Sequence, residues 1–237
     1  MSTIVLIRPG FTDFDDQQRI QGLLDIPLNA RGLTRARQTA DDLSRHQPPI
    51  DVLYASPCTA ARQTAEVIGQ RLDVPVKILE GLYNVSQGLW EGLPVDEIRR
   101  KHPKVFKQWQ ECPETVCPPH GEMLTDAACR VRKALSRPLR KALSLGLIVP
   151  EPLASVVRSV ILQKPIRSSL DEGAALAPES AGDHPQWEVL DELISPKSNW
   201  GLFRRFALPA LAAVFPAGRN SSGEADEFRR QALREVH

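Results

Sequence analysis

Along the first two thirds of the chain, short unbroken apolar runs alternate with longer stretches in which apolar residues recur every three or four positions. The first run, Ile4-Val5-Leu6-Ile7, is rich in β-branched residues and stops at Arg8-Pro9-Gly10, where proline withholds a ladder donor. It predicts an interior strand that delivers Arg8 into a loop. Asp13 to Gln18 is polar, and Arg19 to Asn29 carries Gly22 and Pro27, which predicts an irregular lip beside that strand end. Leu33, Ala36, Ala40 and Leu43 then share one face of a helix over 30–46. The alternation continues with a strand at 51–55, a helix opening at Ser56-Pro57 whose apolar face carries Ala61, Ala65, Ile68 and Leu72, and a strand at 75–79. A helix from Pro94 to Arg100 and a lid-like insertion at 104–119 follow. A long amphipathic helix over 124–144, kinked at Pro138, leads to a fourth strand at 145–149 and a helix over 153–162.

Strands separated by helical crossovers predict the α/β class, with a mostly parallel central sheet and helices on both faces, over residues 1–163. From 164 to 186 the composition turns to Ser, Ala, Pro, Gly and Glu, which cannot bury enough apolar surface to offset ordering entropy and predicts a flexible linker. Residues 187–237 regain hydrophobes and form a C-terminal aromatic and basic segment, ending in a charged helix expected over 224–236.

Composition removes several functions. With 30 basic and 29 acidic residues the chain carries a net charge of +1, so no global field draws it to nucleic acid, and no nucleic-acid partner is expected. No apolar run approaches the roughly 20 residues of a membrane span. Cys58, Cys112, Cys117 and Cys129 follow no zinc spacing, and Met1-Ser2-Thr3 leads straight into a strand without a signal-like segment, so a cytoplasmic protein with free thiols, no metal and no cofactor is expected.

The candidate chemistry lies at the strand ends, where ligands sit in α/β sheets. Arg8 and Arg62 are candidate anion-binding residues, because a guanidinium fork matches phosphate or carboxylate bidentately. Their other reading is structural, as ion-pair partners that hold strand tips together. Pro9 offers no nucleophile and no proton.

Several ordered motifs resemble the histidine phosphatase superfamily, the phosphoglycerate-mutase-like fold. They are Arg8-Pro9-Gly10 after the first strand, Arg19-Ile20-Gln21-Gly22 through Asp25-Ile26-Pro27-Leu28, Ser56-Pro57 through Arg62-Gln63-Thr64-Ala65, Gly88-Leu89-Trp90-Glu91-Gly92, and Gly121-Glu122. The resemblance covers residues 3 to about 162. It implies a pocket built from Gly10, Arg19, Gln21, Gly22 and the residue after the last strand, with Arg8 and Arg62 holding phosphate. In that family a histidine after the first arginine takes the phosphoryl group, a second histidine follows the last strand, and a carboxylate before the Trp-Glu-Gly motif protonates the leaving group.

All three positions depart from that pattern here: they are Pro9, Glu151 and Asn84. Proline cannot be phosphorylated and an amide is no general acid at neutral pH, so the inherited covalent mechanism has no residues to run on. Of His46, His102, His120, His184 and His237, only His120 stands near a motif of the pocket mouth. Glu151 is expected to face Arg8 and Arg62. At about 4 Å and an effective dielectric near 20, such a carboxylate opposes a bound phosphate by ~4 kcal/mol, about three decades in affinity.

Two classes of function follow from the resemblance and its departures. The first is a pseudophosphatase, a catalytically inactive domain acting in binding, scaffolding or regulation. It would hold a protein partner through Trp200, Phe203, Arg204, Arg205 and Phe206, and at most a weak phosphate or carboxylate ligand. The second is a phosphomonoester hydrolase or mutase with displaced catalytic residues. The C-terminal aromatic and basic stretch also has an amphipathic, membrane-surface reading, against which Pro209 and the modest basic content speak.

Overall fold

The computed structural model describes residues 3–48, 50–141, 144–166 and 187–190. The chain divides between Pro196 and Lys197 into two units, and all described residues lie in the first. Its elements are β1 (Thr3–Ile7), α1 (Asp13–Asp16), α2 (Ala30–His46), β2 (Val52–Ala55), α3 (Thr59–Leu72) and β3 (Val76–Ile78). They continue as α4 (Val95–Lys101), α5 (Pro103–Glu111), α6 (Leu124–Leu135), α7 (Pro138–Lys141), β4 (Ser144–Ile148), α8 (Leu153–Leu162) and β5 (Trp187–Leu190).

The described strands form one sheet in the order β3-β2-β4-β1-β5, parallel except for β5, which runs antiparallel to β1. The period of two along β1 assigns its side chains to opposite faces. Ile4 and Leu6 join the cluster made by α6 and α8, including Ala127, Val131, Val156 and Val157. Val5 and Ile7 join that made by α2 and α3, including Ala40, Leu43, Ala65 and Ile68. Both faces of the sheet are therefore covered, and each fully buried Ile or Leu contributes about 1.5–3 kcal/mol relative to exposure. A smaller cluster of Ile20, Trp90, Val95, Ile98, Phe106 and Val116 sits under the lip and the insertion.

Two expectations are corrected and a third is filled in. Residues 187–190, assigned from composition to the C-terminal segment, are the edge strand of the sheet: Trp187 pairs with Ile7 and Leu190 with Ile4. An ion pair between Arg158 of α8 and Glu188 (2.7 Å) and an edge contact between the His46 and Trp187 rings (5.6 Å) hold that strand from both faces. The helix expected over 124–144 is two helices, because Pro138 has no N–H to continue the first ladder and instead opens α7. The insertion at 104–119 is largely helical: α5 buries Phe106 and brings Trp109 to 5.5 Å from Trp90, which makes Trp90 a core anchor.

The aromatic and basic residues Trp200, Phe203, Arg204, Arg205 and Phe206, the linker residues 167–186 and the helix expected over 224–236 lie outside the described residues.

Candidate functional site

The carboxyl ends of β1, β2 and β4 are tied together by backbone bonds that run past the strands. Ser56 N–H donates to the Ile148 carbonyl (2.9 Å) and Val149 N–H to that of Ile7 (3.1 Å). These ladders bring Arg8, Pro57-Cys58 and Pro150-Glu151 to one end of the sheet.

Arg8 and Glu151 meet there. Arg8 Nε lies 3.2 Å from Glu151 Oε1, with both side chains largely buried, at 22% and 19% exposed. The approach is a charge contact without hydrogen-bond alignment, since Oε1 has no hydrogen-bond partner among the described residues. The other oxygen is anchored to the helix that follows. Glu151 Oε2 accepts from Ser155 N–H (3.2 Å) and from Ser155 Oγ (2.9 Å), so the carboxylate caps the first turn of α8. It occupies at once the positive end of a helix and the side of an arginine, both places that favour an anion.

Arg62 does not complete the expected triad. It lies exposed in the first turn of α3, four residues after the pocket-lining Cys58, and enters no ion pair among the described residues.

Asn84, at the position of the family's acid, is buried, and its amide is fully used. Nδ2 donates to the carbonyls of Gly22 and Glu151, both at 3.0 Å, and Oδ1 accepts from Val85 N–H (2.9 Å). Asn84 therefore staples the lip to the end of β4. A carboxylate could not do this, because it has no hydrogen to give to two carbonyls.

Of the expected pocket residues, Gln21 and Gly22 line a pocket of about 180 Å³ together with Leu23, Leu24, Asp25, Pro57, Cys58, Tyr83, Asn84 and Pro150. Gly10, Arg19 and Glu151 do not line it. Gly10 is buried behind the strand tip, where its N–H donates to Thr64 Oγ1 (3.1 Å) and a Cβ would stand 2.3 Å from the Gly32 carbonyl oxygen. Arg19 is on the surface, donating from Nη1 to the Gly92 carbonyl (2.6 Å) and from Nε to Gln17 Oε1 (2.9 Å). The Glu151 carboxylate turns away to Arg8 and Ser155. His120 sits exposed on a loop and is not among the lining residues.

The pocket is braced by residues that the sequence reading gave no role. Glu91 Oε1 accepts from Leu23 N–H (3.1 Å), Gln87 N–H (2.9 Å) and Ser86 Oγ (3.3 Å). Gly22 has φ +56° and packs against that carboxylate, 2.4 Å from where its Cβ would stand, so glycine is required there on both counts. Arg130 grips Glu122 through Nε (3.0 Å) and Nη2 (2.6 Å), donates from Nη1 to the carbonyls of Gly81 and Tyr83, and stacks 3.6 Å from the Tyr83 ring centroid. Asp25 receives Thr59 N–H (2.6 Å) and Thr59 Oγ1 (2.8 Å), capping α3 from the lip. The capping carboxylates are Asp25 and Glu151, and their partners Thr59 and Ser155, 34 and 4 positions away, are marked by no motif.

The sheet order, the glycine-bearing lip and the strand-end arginine together define a class of α/β protein, and the sequence comparisons identify it. The model of the histidine phosphatase superfamily (branch 1) matches residues 4–149, more than half of the chain, and the chain belongs to that superfamily. Among similar proteins is phosphoserine phosphatase 1 of Hydrogenobacter thermophilus, 33% identical over 132 residues, which are 56% of this chain and 62% of that protein. Another is the glucosyl-3-phosphoglycerate phosphatase of Mycobacterium tuberculosis, 34% identical over 129 residues, or 54% of this chain and 56% of that protein. The chain thus spans little more than half the length of these curated relatives.

Solved structures agree. A mycobacterial glucosyl-3-phosphoglycerate phosphatase in complex with VO3 superposes with a TM-score of 0.64 at 27% identity, covering 70% of this chain and 84% of that one. Bacillus stearothermophilus YhfR gives 0.61 at 27%, covering 70% and 82%.

Proposed function

We propose that this chain is a catalytically silent member of the histidine phosphatase superfamily that acts by binding. The observation that carries this reading is the Arg8–Glu151 contact, in which an internal carboxylate stands beside the first-motif arginine and is fixed to Ser155 of the next helix. Pro9 supplies no atom able to accept a phosphoryl group, and every polar atom of the Asn84 amide is already engaged. A phosphate approaching Arg8 would meet Glu151 and be repelled by it. In this reading the C-terminal residues Trp200, Phe203, Arg204, Arg205 and Phe206 hold a protein partner.

The relatives' names favour a second reading, a phosphomonoester hydrolase with displaced catalytic groups. One assay separates the two. The full chain is given an aryl phosphate, phosphoserine and glucosyl-3-phosphoglycerate, beside Arg8→Ala and a Pro9→His, Glu151→His double variant. The binding reading expects release of phosphate at the buffer rate from the native chain, and slow turnover from the double variant, lacking the 10²–10⁴-fold or so that a general acid contributes. Native turnover that Arg8→Ala abolishes would overturn it and establish the hydrolase.

A further inference from the structure

The pocket under the lip is unsuited to the anionic esters that its place in the fold suggests. Of its ten lining residues one, Asp25, is acidic and none is Lys or Arg. The Arg130 guanidinium, which stacks on the Tyr83 ring, is already paired with Glu122, and that of Arg8 stands against the Glu151 carboxylate. At the helix end nearest the lip an internal anion already stands, because the Asp25 carboxylate receives the Thr59 N–H at the start of α3. Burial pushes the Cys58 thiol above the ordinary thiol range, so its sulfur enters as a neutral group.

What the lining does offer is apolar surface and acceptors. Leu23, Leu24 and Tyr83 are large lining side chains left 48%, 37% and 40% exposed, and Pro57 and Pro150 add carbon to the lining. One Gln21 amide hydrogen serves the Leu24 carbonyl, which leaves the amide oxygen as an acceptor beside one remaining donor, and each Asp25 oxygen retains a lone pair beyond the one given to Thr59. A volume of about 180 Å³ is close to the ~150 Å³ apolar cavity known to admit benzene. It takes one ring and little more.

We propose that this pocket binds a ring-sized apolar group bearing an amine, with the ring between Leu24, Pro57 and Tyr83 and the ammonium toward Asp25. The inference rests on the reading of the site as binding rather than catalytic, and it names the ligand class of that site.

The test uses four probes of one shape, benzylamine, benzyl alcohol, benzoate and phenyl phosphate, titrated into the full chain and followed by ligand-observed saturation-transfer NMR. Benzylamine is expected to bind at least tenfold more tightly than benzoate or phenyl phosphate, with the alcohol between. Asp25→Asn, which keeps a capping oxygen for Thr59, is expected to cut the amine's advantage several-fold. Leu24→Arg, at an exposed position that folding tolerates, is expected to reverse it toward benzoate.

Equal or tighter binding of either anion by the native chain overturns the inference. So does the absence of binding by all four probes, or a preference that neither variant moves. Phenol released from phenyl phosphate in the same samples would instead sink the binding reading of the preceding section, whatever the amine does.

Discussion

Glu151 gives one carboxylate oxygen to Arg8 at 3.2 Å and the other to Ser155, so a single side chain joins the tip of β1 to the start of α8. Removing Arg8 leaves a largely buried carboxylate without this counter-charge. A double-mutant cycle of Arg8→Ala and Glu151→Ala, read by urea unfolding, is expected to return a coupling of about 1–3 kcal/mol. Calorimetric titration of Glu151→Ala with inorganic phosphate is expected to show affinity raised tenfold or more over the native chain. An additive cycle and unchanged phosphate affinity would remove the internal anion from the account.

Asn84 to aspartate is a change of one atom that the structure does not tolerate at neutral pH. It turns a double donor into a carboxylate facing the carbonyls of Gly22 and Glu151, at an expected cost of about 2–3 kcal/mol. Only the protonated acid can donate, so folding raises that carboxyl's pKa. The stability it recovers is present below its unfolded value and lost as pH rises through the folded one. The deficit of Asn84→Asp relative to the native chain should therefore shrink as pH falls from the raised folded value toward the ordinary carboxylate value of about 4, and be smallest below it. A deficit that stays flat or grows on acidification would contradict the staple.

Gly10→Ala places a methyl 2.3 Å from the Gly32 carbonyl oxygen, and backbone faces it rather than a flexible side chain. Overpacking against backbone is expected to cost more than about 2 kcal/mol, seen as a fall in Tm of about 5 °C or more in a thermal melt. A Tm within one degree of native would mean that the first loop and the start of α2 separate more easily than the contact implies.

Cys58 differs from the other three cysteines. Burial, the leading cause, pushes its thiol upward, and it is half-buried, whereas Cys112, Cys117 and Cys129 are exposed. The thiolate is the species that alkylates. In a timed iodoacetamide reaction at pH 8 followed by peptide mass spectrometry, Cys58 should be modified at least several-fold more slowly than each of the exposed three. Equal rates would place Cys58 at an open surface and weaken the description of the pocket it lines.

Where local pattern suffices, the chain was legible. The run from Ile4 to Ile7, the helix face of Ala36, Ala40 and Leu43 and the buried run ending at Ile148 each carry their own period, and the covered sheet follows from them. The contact between Arg8 and Glu151 was legible too, because it joins two motif positions whose meeting the family fold dictates. That Arg62 stays out of this ion pair was not, since motif spacing places a residue on a helix without fixing which partner its side chain takes. Nor was the edge strand: Trp187-Glu188-Val189-Leu190 is too short to stand out from its polar surroundings, and only pairing with β1 gives it shape. The bracing by Glu91 and Arg130 escaped because hydrogen bonds to backbone carbonyls and amides leave no mark in residue type.

The late arrival of β5 has a practical sequel. Because the strand that leads to Arg8 is closed on one margin by residues 187–190, a protein trimmed at the end of α8 would bare the main-chain donors and acceptors of that margin between Ile4 and Ile7. Such a fragment would be sticky rather than minimal, recruiting any extended peptide to fill the vacated lane, and a partner captured on it would report the surgery instead of the biology.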